Sequence, residues 1–145
     1  MMEREFSMYE TALCHVQGEL FTLAWDKGYV MRDFIPAFMH SESAARVDSP
    51  YSQLQWCGEE YLLSAVVREC LLFPNPLPGS EDREALYWTG YLYRYWHFLT
   101  GETSKEIYAT ADMERMLRVY PGYHTLSCEK AISRLKEEGP RAKVA

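Results

Sequence analysis

An aromatic segment, YWTGYLYRYWHF, spans residues 87–98 and limits the folds open to this chain. At helical spacing its aromatic rings point to every side of one helix, and a helix on a protein surface cannot bury all of them. The sequence therefore predicts either the central helix of a bundle or a helix that packs one face inward and turns another toward a partner. The residues of that second face are Tyr87, Tyr91, Arg94 and Phe98.

Two further segments have the spacing of amphipathic helices. Between Phe6 and Leu23 apolar residues recur at steps of three and four, which predicts a long helix with one buried stripe. A second long helix is predicted from Gln53 to Cys70. A short helix is expected to begin near Asp33, because Pro36 would then fall in or near its first turn. The start of that stretch, YVMRDFI, is the one place where a strand is an alternative.

Capping residues mark the helix ends in the carboxyl-terminal half. Ser80, followed by two acidic residues, predicts the start of the aromatic helix, and Gly101 predicts its end. The sequence TSKE, from Thr103 to Glu106, has the capping-box pattern. Two more short helices are predicted by their start and stop signals, which are Asp112 with Pro121 and Gly122, and Ser127 with Gly139 and Pro140.

The remaining segments predict connections. The proline-rich stretch 71–80, LLFPNPLPGS, cannot continue a helix or a strand and is too short for a linker of any reach, so it predicts a loop within one domain. SESAARVDSP, at 41–50, predicts one helical turn or a loop, and residues 139–145 predict a short frayed tail. The sequence thus predicts an all-α fold, a single domain over residues 1–145 that forms a compact bundle of about five to seven helices.

Composition bounds the function. The 145 residues are 48% hydrophobic, enough for one core, and the formal net charge is −6, which argues against nucleic acid as a partner. The four cysteines, Cys14, Cys57, Cys70 and Cys128, are far apart in the sequence, which predicts reduced thiols. No signal-peptide pattern and no apolar run of about 18 residues occurs, so we expect a cytoplasmic protein without a membrane span.

Candidates for chemistry are weak. The sequence predicts no catalytic residue, no cofactor site and no metal site. His124 and Cys128 have an i, i+4 spacing, but a cap at Ser127 would place the histidine outside the last helix. An alternative is a small enzyme or ligand-binding protein with a pocket lined by the aromatic helix. In that case His97 would act together with Glu59 or Glu60, two carboxylates that are adjacent in the sequence.

The segment from Lys105 to Leu135 reads KEIYATADMERMLRVYPGYHTLSCEKAISRL. Its order of KE-I-Y, ML-x-x-Y, YHT-L and AI-x-x-L resembles small helical proteins of unknown function encoded in bacterial toxin–antitoxin-type loci. The resemblance implies a cytoplasmic protein that binds a partner encoded next to it and neutralises a toxin, and it implies no catalytic residue. Within this segment Tyr120, Tyr123 and His124 form a predicted turn, which either faces a partner or forms a core corner with His124 bonded to a backbone carbonyl.

The leading hypothesis is a non-enzymatic, antitoxin-like protein-interaction module that binds and neutralises a partner protein. The partner is expected to be a toxin encoded next to it, and the chain could also form a homo-oligomer. A second alternative, beside the enzyme or ligand-binding protein, is a nucleic-acid-associated regulator that uses a basic strip of Arg94, Arg115 and Arg118. The candidate partner-binding residues are Tyr87, Tyr91, Arg94, Phe98, Tyr120, Tyr123 and His124.

Overall fold

The computed structural model describes residues 5–50, 57–75, 77 and 79–139. Within these residues the chain forms eight α-helices and no strand. The all-α bundle expected from the sequence is therefore confirmed, with one helix more than the predicted range. The helices are α1 (Met8–Asp26), α2 (Met31–Met39), α3 (Glu42–Asp48), α4 (Glu59–Cys70), α5 (Arg83–Thr100), α6 (Ser104–Thr110), α7 (Met113–Tyr123) and α8 (Cys128–Glu138).

The predicted caps account for several helix ends. Thr103 and Glu106 form the capping box at the start of α6. The side chains of Asp112 and Ser127 accept hydrogen bonds from the first turns of α7 and α8. Gly101 ends α5 with a φ of +80°, a conformation that glycine adopts without strain. Helix α5 begins slightly later than expected, because Asp82 rather than Ser80 is its cap.

Two prolines lie inside helices, contrary to the sequence-based boundaries. Helix α2 begins at Met31, so Pro36 falls within it and the predicted strand alternative for YVMRDFI is wrong. Pro121 was expected to end α7, but the helix continues to Tyr123. The amide of His124 still donates to the Tyr120 carbonyl at 2.9 Å, because hydrogen bonds four residues apart can continue on either side of a single missing amide.

Other boundaries also differ from expectation. The stretch expected to be one turn or a loop contains a full helix, α3, whose cap Ser41 accepts from the amide of Ala44. Helix α4 begins at Glu59, and the earlier part of its predicted range, up to residue 56, lies outside the described residues. Of the predicted tail, only Gly139 lies within them. No helix in the described ranges is long and apolar enough to cross a membrane.

Helices α1 and α5 form the centre of the bundle and approach each other at two glycines. A Cβ atom at Gly90 would lie 2.6 Å from the Gln17 carbonyl oxygen, and one at Gly18 would lie 2.8 Å from the ring of Tyr87. Because real Cβ contacts are longer than this, only glycine allows the two backbones to pack so closely. Helix α5 also contacts α6, α7 and α8, so the prediction of a central helix is confirmed.

Aromatic side chains fill the core beside this contact. The ring of Phe21 meets those of Phe34, Phe38 and Tyr93 edge to face, at centroid distances of 5.9 to 6.2 Å. The hydroxyl of Tyr93 donates to the Ala111 carbonyl at 2.7 Å, which satisfies its one polar group in the core. The inward face of the aromatic segment is thereby fully packed.

Candidate partner-binding surfaces

A continuous series of aromatic rings, half-buried except for that of His15, runs along α5, the first half of α1 and the residues just before α1. We call it the aromatic face and define it by six residues. Tyr87, Tyr91 and Tyr95 follow one another on α5 at centroid distances of 6.0 and 6.4 Å, since they lie four residues apart on one side of the helix. The other members extend the series at both ends and are Phe6, His15 and Phe98.

The contacts at the ends of the aromatic face come from outside α5. Phe6 stacks on Tyr95 at 4.2 Å and meets Phe98 edge to face at 6.0 Å. His15, from α1, meets Tyr87 at 5.6 Å. The aromatic face therefore includes three of the predicted partner-binding residues, Tyr87, Tyr91 and Phe98. Phe6 and His15 were missed because their contacts depend on how α1 and the residues before it lie against α5. Tyr95 was missed although it follows Tyr91 by one helical turn on α5, because the predicted face continued through Arg94 instead.

Two tyrosine hydroxyls of the aromatic face, those of Tyr87 and Tyr95, are held by specific partners. Tyr87 is hydrogen-bonded to Nδ1 of His15, and Tyr95 donates to the Glu129 carboxylate of α8. Burial raises the pKa of Tyr87 and of Tyr91, and burial together with Glu129 raises the pKa of Tyr95. All three are neutral phenols at physiological pH, so the surface offers apolar rings with polar edges and no tyrosinate charge.

Arg94 does not belong to this face, although its spacing from Tyr87 and Phe98 predicted that it would. Its side chain is completely buried, and each of its guanidinium nitrogens has a partner on another element. Nε donates to Gln17 at 2.9 Å, and the terminal nitrogens donate to Asp48 at 2.6 Å and to Ser104 at 3.2 Å. Arg94 is thus a structural residue that connects α1, α3, α5 and α6.

The carboxylate of Asp48 is equally well satisfied. Besides Arg94, it accepts from the amide of Ser104 and from the hydroxyl of that residue, both at 2.8 Å. Removing a charge pair from water is costly unless geometry and further hydrogen bonds compensate, and these bonds supply that compensation. Nothing in the sequence pairs Asp48 with Arg94, because 46 residues separate them.

His97 lies next to this ion pair. Its Nδ1 is 2.7 Å from the Glu102 carbonyl oxygen and 3.7 Å from Asp48. Burial, followed by the charge of Arg94, lowers the pKa of His97 below its usual 6.5, so the ring is neutral at physiological pH. Three surface grooves among the described residues, with volumes of about 410 to 640 Å³, are lined by other residues and do not open onto this histidine–carboxylate pair.

A second aromatic group connects α5 with the end of α7. Trp88 meets Tyr120 edge to face at 5.5 Å, and Tyr120 stacks on His124 at 4.5 Å. Nδ1 of His124 is 2.8 Å from the Tyr120 carbonyl oxygen, which is the backbone bond expected for a structural corner. His124 is nevertheless exposed, so its ring lies on the surface beside Tyr120.

Tyr123 faces a different neighbour. Its hydroxyl donates to Glu138 at 3.3 Å, and the guanidinium of Arg134 lies 5.9 Å from its ring centroid. The predicted turn therefore does not form a single surface, because Tyr120 and His124 stack together while Tyr123 packs against α8.

The basic strip proposed for nucleic-acid binding is not present as such. Arg94 is buried, and Arg115 is 4% exposed and bonded to Glu138 and to backbone carbonyls. Two of the three arginines therefore have their charge and donors engaged inside the protein. This leaves Arg118 as the one exposed member of the predicted strip.

Helix α4 and the loop after it carry a surface that sequence reasoning did not single out. Among the described residues, five large hydrophobic side chains are exposed, and four of them lie here. Leu71, Phe73 and Leu77 are each 75% exposed or more, and Tyr61 is 57% exposed. Exposed apolar groups gathered in one region often mark an interaction site. Apolar residues occupy a broad face of α4 in the sequence, so the sequence alone does not indicate which of them are exposed to solvent.

Groups that could hold a metal or act as nucleophiles are few. In the described ranges no cluster of three or more histidine, cysteine or acidic side chains is suitable for a metal ion. Burial raises the pKa of the Cys14 thiol to about 12 and that of Cys128 to about 11, so both thiols are protonated at neutral pH. Comparison of the chain with protein-family models, curated proteins and solved structures gave no match.

Proposed function

We propose that this chain is a non-enzymatic protein-interaction module that acts in the cytoplasm, antitoxin-like, by binding and neutralising a partner protein through the aromatic face. The observation that carries the proposal is the unbroken series of six rings from His15 to Phe98 on one side of the bundle, five of them half-buried and His15 exposed. Tyrosine is enriched at the energetic centres of protein interfaces because it combines a large apolar area with a polar edge.

Packing in the aromatic face supports a binding role. The rings are fixed by one another, by His15 and by Glu129, so little side-chain freedom is left for a partner to remove. Binding by preformed side chains costs less entropy than binding by mobile ones. A face of this kind is suited to recognise one partner in one orientation.

The charge next to the aromatic face indicates the kind of partner. Glu19 lies 3.9 Å from the ring nitrogen of His15, and Glu129 bonds to Tyr95 at the other side. With a net charge of −6 for the whole chain, these carboxylates favour a basic protein surface. We therefore expect binding to weaken as the salt concentration rises.

The resemblance of the carboxyl-terminal segment gives the experiment its partner. The protein encoded beside this gene is co-expressed with the chain, and the dissociation constant of the purified complex is measured by calorimetry. Truncating a central ring by Tyr91→Ala should weaken the complex by about tenfold or more, since hot-spot tyrosines contribute on this scale. In cells, the same variant should fail to relieve the growth arrest caused by the neighbouring protein.

Arg32→Ala is the control, because Arg32 is exposed on α2 and belongs neither to the aromatic face nor to the outer surface of α4 and its loop. It should leave the dissociation constant unchanged. Absence of binding to the neighbouring protein, or equal affinity for the Tyr91→Ala variant and the wild type, would overturn the proposal.

The Trp88–Tyr120–His124 group provides a second measurement. Tyr120 follows Trp88 on the surface next to α5, so a partner that covers the aromatic face widely would reach it. Tyr120→Ala should then weaken binding by less than Tyr91→Ala, as expected for a residue at the rim of an interface.

A further inference from the structure

The outer side of α4 carries charges of opposite sign that do not meet within the chain. Glu60, Ser64 and Arg68 are all exposed and lie at successive steps of four residues. Glu60 and Arg68 are separated by about 12 Å along the helix axis, too far for a direct ion pair. Neither forms an ion pair with another group in the described part of the chain.

Large apolar side chains lie beside these charges. Tyr61 is on α4, and Leu71 and Phe73 follow in the loop, where they line a groove of about 490 Å³ together with Leu63 and Val67. The surface thus has projecting side chains next to a recess on the same patch. A patch of this kind can contact an identical patch, because a two-fold interface pairs each projection with the recess of the other copy.

The backbone of the loop is anchored by hydrogen bonds to α4 and to the residues just after α1. The amide of Leu72 donates to the Val67 carbonyl at 3.1 Å, and the amide of Asn75 donates to the Gly28 carbonyl at 2.7 Å. Leu71 adopts a left-handed conformation with φ of 55°, which is uncommon for a residue other than glycine. Leu71 is therefore kept in an uncommon left-handed conformation on an anchored loop, although only about a quarter of its surface is buried within the described part of the chain.

We propose that the outer face of α4 and the loop after it bind a second copy of this chain, with the two α4 helices antiparallel across a two-fold axis at Ser64. The axis places Glu60 of each copy opposite Arg68 of the other, so two ion pairs form at once. Ser64, which is small, lies where the helices come closest.

Local charge also favours a second copy at this place. The groove beside α4 is bordered by two cations, Lys27 and Arg68, and by one carboxylate, Glu60. The strongly negative charge of the whole chain therefore does not repel an identical copy here, as it would on an acidic surface. This inference does not depend on the aromatic face, since no residue of that face lies on α4 or its loop.

Sedimentation equilibrium of the purified chain, from micromolar to millimolar concentration, measures the dimer dissociation constant. Arg68→Glu and Glu60→Arg should each weaken the dimer by about tenfold or more, because both turn two attractions into two repulsions. The double variant, Glu60→Arg with Arg68→Glu, exchanges the two charges and should return affinity to within about threefold of the wild type. These residues are exposed, so the variants are expected to fold, which circular dichroism checks.

Lys105→Glu is the matched control, since it changes the charge as Arg68→Glu does but on an exposed position of α6. It should leave the dissociation constant unchanged, while Phe73→Ser should raise it by about tenfold or more through lost apolar contact. A chain that stays monomeric at every concentration would refute the proposal. Self-association that ignores Arg68→Glu, or single variants that the double exchange does not rescue, would refute it equally.

Discussion

Helices α1 and α5 meet at two glycines and enclose an arginine with a partner for each nitrogen, whereas α4 leads into a loop that leaves three large apolar side chains mostly in water. Both arrangements are unusual for their surroundings, the first a charge in the core and the second apolar groups at the surface. The first is complete within the chain. In the second, the apolar side chains would be buried only against another molecule.

This difference separates residues that serve stability from residues that serve association. A buried polar group whose partners are all present contributes to one defined structure, and its loss should lower stability. An exposed apolar group contributes little to stability, and its loss should be felt when the surface is covered. Substitutions on the two sides should therefore divide cleanly between the two measurements.

The largest expected effect is on the α1–α5 side. Arg94→Met keeps an unbranched apolar stem but removes the guanidinium and leaves Asp48 without its countercharge, and should lower the free energy of unfolding by about 3–5 kcal/mol. Urea denaturation followed by circular dichroism measures it. Arg83→Met is the control, because its ion pair with Asp26 has exposed side chains and should contribute little. Similar losses in the two variants would contradict the structural role of Arg94.

A smaller loss is expected where the helix backbones touch. Gly90→Ala introduces a Cβ that the Gln17 carbonyl cannot accommodate, so α1 must move and the free energy of unfolding should fall by about 1–3 kcal/mol. Gly122→Ala, in α7, meets no atom within 4 Å and should be neutral or slightly stabilising. If Gly90→Ala proved as stable as Gly122→Ala, the close helix contact would be wrong.

On the α4 side the sign of the stability change should reverse. Leu71→Gly removes a side chain from a left-handed conformation that glycine adopts freely, and should raise the free energy of unfolding by about 0.5 kcal/mol. Leu71→Asn should act in the same direction, since asparagine also tolerates this conformation. Both variants should weaken the dimer in sedimentation. A substantial loss of stability in either would show that Leu71 packs within its own chain.

The smallest effect concerns His97, beside the buried ion pair. Its folded pKa lies below the usual 6.5, so the unfolded chain binds more protons as the pH falls from about 6.5 and the folded state is progressively destabilised. Stability measured between pH 7.5 and about 5 should fall more steeply in the wild type than in His97→Gln. The carboxyls of Glu69 and Glu102, whose pKa values are lowered, contribute only at more acidic pH. Parallel pH curves would contradict the assignment.

The helix ends could be predicted because their signals are local. Thr103, Asp112 and Ser127 each bond to amides two or three residues ahead, so a short stretch of sequence contains the whole interaction. The two internal prolines were misjudged because the helix continues when its apolar face is buried, and packing outweighs the loss of one hydrogen bond.

The position of Arg94 could not be predicted from helical spacing. Its spacing places it between Tyr91 and Phe98, but the side chain of Gln17 and the carboxylate of Asp48 come from segments far away in the sequence. Tyr87 and Tyr91 were correctly grouped, since they lie four residues apart on one helix, whereas Tyr95, the next residue of the same row, was left out. Helical periodicity thus identified aromatic rings on one side of α5, but it could not identify the distant residues that bind the Arg94 guanidinium.

The partners of Arg94 also make the packing of α5 depend on distant parts of the chain. They lie at residues 17, 48 and 104, so the set of hydrogen bonds is complete only after loops of 77, 46 and 10 residues have closed, and the charge is paired by Asp48 alone. Any intermediate that buries α5 without α3 confines an unpaired charge, and such species are too costly to accumulate. A fragment that ends at Thr100 lacks Ser104 and should not reach the native state, so the first helices depend on a segment synthesised well after them.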